Sequence, residues 1–251
     1  MINLKTKNWS VENIDTVLFD KDGTIQDLNI YWGEIIKMRS DALIDRLKLK
    51  PSFFEKICLW MGYDLEKKRL LEKGPVGILS REEIIDQLII DFKKNNIDIK
   101  REVILKIFDE VHRNFLIKMD DYVKILPGIR DFIIDLKEKS IKIAIVTSDT
   151  VDNAKKCINL LGIDKYVDQY IGRDHSLLPK ASGEQAKIAL NLLNSKAENT
   201  VCFGDAPMDL LMAEKSELKA GIGIAFGQTP VEELLKYSKY VINSYNQLRI
   251  Y

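Results

Sequence analysis

Cysteine is scarce in this chain: three residues, Cys58, Cys157 and Cys202, among 251. Their scattered positions give neither the even pairing of a disulfide framework nor the spacing of a metal-binding motif, which excludes disulfide scaffolds and points to a reducing compartment. Proline and glycine are also few, at 6 and 13, so collagen-like and low-complexity classes fall away. No apolar run approaches the ~20 residues that a membrane span needs. Met1 to Ser10 mixes Lys and Asn with isolated apolar side chains, unlike a signal peptide. An excess of charge of either sign is missing too, with 38 Lys plus Arg against 38 Asp plus Glu. Without a net field the chain has no general means of collecting nucleic acid or an anionic membrane. These absences leave a cytoplasmic, globular protein whose partner is a small molecule.

What is present is an apolar content of 46%, enough for a substantial core at this length. Several short apolar runs stop abruptly in small or acidic residues: Thr16-Val-Leu-Phe-Asp20, Lys142-Ile-Ala-Ile-Val-Thr-Ser148, Thr200-Val-Cys-Phe-Gly-Asp205 and Gly221 to Phe226. They are continuous rather than alternating, as parallel strands buried on both faces should be. Helical signals lie between them. Ser182 with Gln185, and Thr229 and Pro230 with Glu232, have the spacing of helix-opening capping boxes. The fold class expected is α/β, a Rossmann-like doubly wound parallel sheet, whose ligands gather outside the C-terminal strand ends.

The stretch 27–121 differs in kind. It shows no convincing strand, but amphipathic helical patterns over 31–49, 80–94 and 100–118, the second opened by Ser80 and Glu83 as a capping box. It reads as an all-helical domain inserted into a core made of 1–26 and 122–251, with Pro127-Gly128 marking re-entry.

The chemistry concentrates at the strand ends. In Asp20-Lys21-Asp22-Gly23-Thr24 two carboxylates stand one residue apart, on the same side if the strand runs to Asp20. Like charges that close call for a cation or for different protonation states, although an isolated Asp-x-Asp-Gly is equally a plain surface turn. Asp205 ends another strand and Asp209 follows a helical turn later, a candidate oxygen site for a hard cation or an ordinary helix cap. Thr147, with Ser148 beside it, offers a hydroxyl at a third strand end. Lys180 offers a point charge suited to phosphate.

Taken together, in this order and spacing, these four segments resemble the signature motifs of the haloacid dehalogenase-like superfamily, with 27–121 in the place of its C1-type cap. The resemblance implies a Mg2+-dependent phosphomonoesterase, nearest to the phosphoglycolate phosphatase-like members, in which Asp20 attacks phosphorus and becomes an aspartyl phosphate. It places Mg2+ on the carboxylates of Asp20 and Asp205 and on the main-chain carbonyl of Asp22, and makes the Asp22 side chain the proton donor to the leaving group. Thr147 and Lys180 would grip the transferring phosphoryl group, Asp209 would orient Lys180 or a metal-bound water, and Gly23, Thr24 and Ser148 would support the site. Two departures from the family pattern stand out: Ala181 where a proline is usual, and Ile25-Gln26-Asp27-Leu28 after the Asp-Gly turn.

Asp22 favours phosphatases and phosphomutases over members that lack a carboxylate there. Residues 26–44 carry no histidine of the kind the family's sugar phosphomutases use, so hydrolysis is preferred to internal transfer. His112 reads as a helix-surface residue, and His175, near Lys180, as a candidate for lining the mouth. In the inserted domain, Lys73 within the interruption 73–79 is a candidate for an anionic substrate tail, or the segment is merely a connector. Trp32, Arg39, Trp60 and Tyr63 could face a cleft or pack in the core. The expected partner is a small phosphate ester such as phosphoglycolate or a sugar phosphate, handled by a monomer. A receiver-like phospho-accepting module is the alternative from another class, disfavoured by the large insert after the first strand.

Overall fold

The computed structural model describes residues 1–251. The chain separates into two compact units, Met1–Asp27 with Val123–Tyr251, and Leu28–Tyr122. Each crossing falls one residue later than the composition suggests. In chain order the strands are β1 (Ile2–Lys5), β2 (Ser10–Ile14), β3 (Thr16–Phe19), β4 (Tyr63–Asp64), β5 (Arg69–Leu70), β6 (Lys142–Val146), β7 (Gln169–Ile171), β8 (Thr200–Gly204), β9 (Ala220–Ile224), β10 (Val241–Ile242) and β11 (Arg249–Ile250).

Six of them form one parallel sheet in the order β10-β9-β8-β3-β6-β7, flanked by helices. Its centre is built from the continuous apolar runs: every residue of β3 and β8 is buried, and four of the five in β6. The chain order reverses at β3, which makes its C-terminal end a topological switch point. Phe19 pairs with Ile145 on one side and Phe203 on the other. That register brings the residues after β3, β6 and β8 to one edge of the sheet.

Three elements of this unit escape a reading by apolar runs. β1, β2 and β11 form a separate antiparallel sheet, so the Thr16 run is the third strand and not the first. β2 mixes buried Val11 and Ile14 with exposed polar residues, a pattern too short to stand out. Ser182 and Gln185 do not form a capping box, because Gly183 takes a left-handed conformation and the helix begins at Glu184. The amide of Gln185 donates instead to the Thr147 carbonyl at 3.2 Å. Thr229 likewise opens no helix: Pro230 is the capping position and the helix starts at Val231.

The unit Leu28–Tyr122 is mainly helical, with its longest helices at Leu28–Leu47, Arg81–Lys94 and Arg101–Ile117. The Ser80–Glu83 capping box is formed in both directions. A short hairpin, β4 with β5, corrects the expectation of no strand here; the Leu70 N–H donates to Asn29 Oδ1 at 2.8 Å. Ile36, Leu43, Ile57, Phe92 and Phe108 are buried together, with Trp32 and Trp60 packed against them. Tyr63 and Arg39 are buried as well, Arg39 with its guanidinium 4.0 Å above the Phe108 ring. All four cleft candidates therefore serve this core. The interruption 73–79 is tied down through Gly74, where a Cβ would stand 2.8 Å from Gly62 Cα. No helix is long and apolar enough to cross a membrane.

Where the chain leaves and rejoins the sheet unit, its two strands run antiparallel. The Asp27 N–H donates to Lys124 O and the Leu126 N–H to Ile25 O, both at 2.8 Å, and Gln26 bridges Ile125.

Candidate active site

Asp20 follows β3, its N–H bonded to the Phe203 carbonyl of β8 at 2.8 Å. Its carboxylate accepts from Lys180 Nζ at 2.6 Å, and the same ammonium lies 2.6 Å from Asp209 Oδ1. Lys180 reaches this position from a short 3-10 turn, Lys180–Ser182. Gly183, with φ +86°, lets that turn press on the end of the helix Pro207–Lys215, where any Cβ would be 3.0 Å from main-chain atoms of Lys215 and Ser216. The second oxygen of Asp209 accepts from the Ala206 N–H at 3.0 Å, so one oxygen is hydrogen-bonded and the other is held by the ion pair with Lys180 alone.

Asp205, at the end of β8, is buried beside this stack and accepts from the Gln228 N–H at 3.2 Å. Two glycines make its niche. A Cβ on Gly23 would meet Asp205 Oδ2 at 2.3 Å and one on Gly227 at 1.7 Å. Gly23 also has φ +78°, a conformation that other residues adopt only with strain. Carboxylate oxygens of Asp20, Asp205 and Asp209 all lie within 4.8 Å of one another.

The electrostatics follow from this crowding. Burial pushes the Asp20 carboxyl up to about 6 from 3.8, Lys180 opposing the shift and Asp209 adding to it. Burial, then Asp20 and Asp209, hold Asp205 well above the usual carboxylate range. Burial works against the Lys180 charge, but the two carboxylates outweigh it and raise its pKa. With all three carboxyls ionised, Lys180 offsets one of three negative charges, leaving two for a divalent cation to balance. A buried oxygen set with that surplus suits a hard divalent ion, and Asp205, with one neutral donor to its carboxylate, could ligate it.

The Asp22 side chain does not join this group. It lies with Lys21, Gln26 and Asp149, and burial raises its pKa while Lys21 opposes. Thr147 is buried after β6 and its Oγ1 accepts from the Asp149 N–H at 3.1 Å. Ser148 is exposed, its hydroxyl 3.7 Å from Met208 Sδ. Thr24 is buried, and its carbonyl accepts from the Tyr245 hydroxyl at 2.9 Å.

Of the two expected substrate residues, one falls in each compact unit. Lys73 is exposed in the helical unit. His175 closes a 3-10 turn and lines a surface depression with Val151, Lys155, Asp164 and Tyr170. Conversely, Lys21, Asp149, Gln228 and Gly227 pack against Asp22 or Asp205 and were not singled out, and Gln26 was noted only as a departure from the family pattern. Only Lys21 carried a signal, as a charge placed directly after a buried strand.

A model of the haloacid dehalogenase-like hydrolases matches residues 14–216. The chain belongs to this family. Among its relatives, "Putative pyrophosphatase PpaX" of Caldanaerobacter subterraneus subsp. tengcongensis is 29% identical over 227 residues, 89% of this chain and 87% of that one. Pyrophosphatase PpaX of Listeria innocua is 27% identical over 218 residues, 84% of each chain. Of solved structures, a "predicted phosphoglycolate phosphatase" from Haemophilus somnus 129PT superposes with TM-score 0.70 at 14% identity, over 93% of this chain and 96% of that one. A β-phosphoglucomutase from Clostridium difficile does so with TM-score 0.63 at 22% identity, over 93% and 92%. At these identities the two structures establish the shared fold of this haloacid dehalogenase-like hydrolase.

Proposed function

We propose that the protein is a Mg2+-dependent phosphomonoesterase for a small phosphorylated metabolite, working through an aspartyl phosphate on Asp20. One observation carries the reading: the Asp20 carboxylate, at the switch point of the sheet, is gripped by Lys180 within metal-ligand reach of Asp205. Asp20 and Asp205, with the main-chain carbonyl of Asp22, would hold the ion. When bound, Mg2+ supplies the positive charge that lets a phosphate dianion approach two carboxylates and polarises its oxygens.

The chain's own residues do the rest. Asp20 attacks phosphorus in line, and Lys180, fixed between Asp20 and Asp209, compensates charge on the phosphoryl oxygens. Asp209 is the positioning residue for Lys180. Thr147 holds a further phosphoryl oxygen. Asp22 donates a proton to the departing alkoxide, then takes one from the water that hydrolyses the aspartyl phosphate.

With Mg2+, the protein is expected to release phosphate from p-nitrophenyl phosphate, and Asp20→Asn to abolish this while leaving the circular dichroism spectrum unchanged. Retained turnover in Asp20→Asn would overturn the assignment of the nucleophile. A panel of phosphorylated metabolites then identifies the substrate. The relatives named pyrophosphatase, similar over most of the chain, favour inorganic pyrophosphate as the second substrate class, and it belongs in the same panel.

A further inference from the structure

A second charge cluster stands at the sheet edge and shares no side chain with the group around Lys180. Its centre is Lys21, whose side chain is 0% exposed although it carries an ammonium. Lys21 Nζ lies 2.9 and 2.8 Å from the two oxygens of Asp22 and 3.4 Å from Asp149 Oδ2. Gln26, fully buried, donates its amide to Asp22 Oδ1. Asp149 accepts further from the Thr150 N–H at 2.8 Å and from the Asn153 amide, while its own N–H donates to Thr147 Oγ1. A continuous polar chain thus runs from Gln26 through Asp22, Lys21 and Asp149 to Thr147.

Two mostly buried carboxylates with one ammonium between them form an interdependent set. Without the ammonium, Asp22 and Asp149 would repel each other and leave their oxygens poorly solvated. With it, the orientation of Asp22 is fixed by a charge-assisted contact at each oxygen, the strongest class of side-chain hydrogen bond. Asp22 Oδ1 accepts from both Lys21 and Gln26, whereas Oδ2 accepts from Lys21 alone and keeps a lone pair on which a proton can be exchanged while the ammonium holds the group in place.

We propose that Lys21 is a positioning residue, which suspends Asp22 from the loop bearing Thr147 and thereby sets where the leaving group's proton donor stands. This rests on the proposed role of Asp22 as that donor. It follows that Lys21 matters most when the departing oxygen needs a proton. An alkoxide does; p-nitrophenolate does not.

The test compares wild type, Lys21→Met, Lys21→Arg, Asp149→Asn and Asp22→Asn in kcat/KM, with Mg2+, on p-nitrophenyl phosphate and on the alkyl phosphate that wild type hydrolyses fastest. General acid assistance is typically worth about 10²–10⁴-fold, so Lys21→Met should lose at least about tenfold on the alkyl ester and less than about threefold on the aryl ester. Lys21→Arg should recover part of the loss. Asp149→Asn, at a more exposed site, should fold and show the same split in smaller measure, which keeps the test open should Lys21→Met fail to fold. Equal losses on both esters, or none, in a folded Lys21 or Asp149 variant would overturn the proposal. If Asp22→Asn itself shows no split, the reading of Asp22 as donor has failed first, and the role of Lys21 with it.

Discussion

Asp205 sits in a niche that favours its neutral form, and Asp20 shares the same pressure. Both have pKa values raised by burial above those of an unfolded chain, so the folded protein holds protons that the unfolded one releases. The stabilising contribution is complete below about pH 4 and is lost as pH rises through about 6 and beyond. In chelator at pH 7.5, Asp205→Asn is therefore expected to melt several degrees above wild type, with the gap closing toward pH 4.5. Added Mg2+ should raise the melting temperature of wild type at pH 7.5 and leave the variant unmoved. A wild-type melting curve insensitive to Mg2+ would remove the metal from this site.

Arg39 poses the opposite problem. Its Nε has no hydrogen-bond partner, and burial together with the like charge of Arg81 lowers its pKa from 12.5 to about 9. Stacking on Phe108 offsets about 1–2 kcal/mol, less than the cost of drying an unpaired guanidinium. Arg39→Met keeps the packing stem and discards the charge. Urea unfolding should show it more stable by about 1–3 kcal/mol, an advantage that holds below pH 9 and shrinks above, as wild type sheds the proton. The candidates Asp20, Thr147 and Asp205 at strand ends, and Lys180 on its 3-10 turn, were legible because motif spacing exposes them. The weight of Lys21, Gln26 and Asp149 was not, since it comes from burial and from the ion pair that joins Lys21 to Asp149 across the chain.

Among elements, β3, β6, β8 and β9 could be read almost to the residue, because strands buried on both faces leave unbroken apolar runs. The edge strands β7 and β10 span two or three residues, and β1, β2 and β11 alternate only briefly. Nothing in their composition outweighs the neighbouring loops. Capping boxes illustrate the limit of local pattern: Ser80 and Glu83 have no competing partners and close their box, whereas Gln185 is drawn away by the carbonyl of Thr147. The loop after β9 was equally unreadable, yet Gly227 there leaves no room for a methyl group beside Asp205. Gly227→Ala should displace that carboxylate. It is expected to cut Mg2+-dependent turnover by about 100-fold, given that small misplacements in a site cost that much, while secondary structure by circular dichroism stays intact. Wild-type turnover in Gly227→Ala would show that the niche is adjustable.

At the scale of the molecule, the continuous apolar runs and the amphipathic stretch 27–121 were enough to foresee a parallel sheet unit and a helical one, though not the hairpin β4–β5 or the small antiparallel sheet. Those depend on pairings of a few residues that periodicity cannot register. The rung between Gln26 and Ile125, with the two main-chain bonds beside it, ties off the helical segment like a stitched pocket, so that a change of length within that segment meets a hydrogen-bonded seam before it reaches β3.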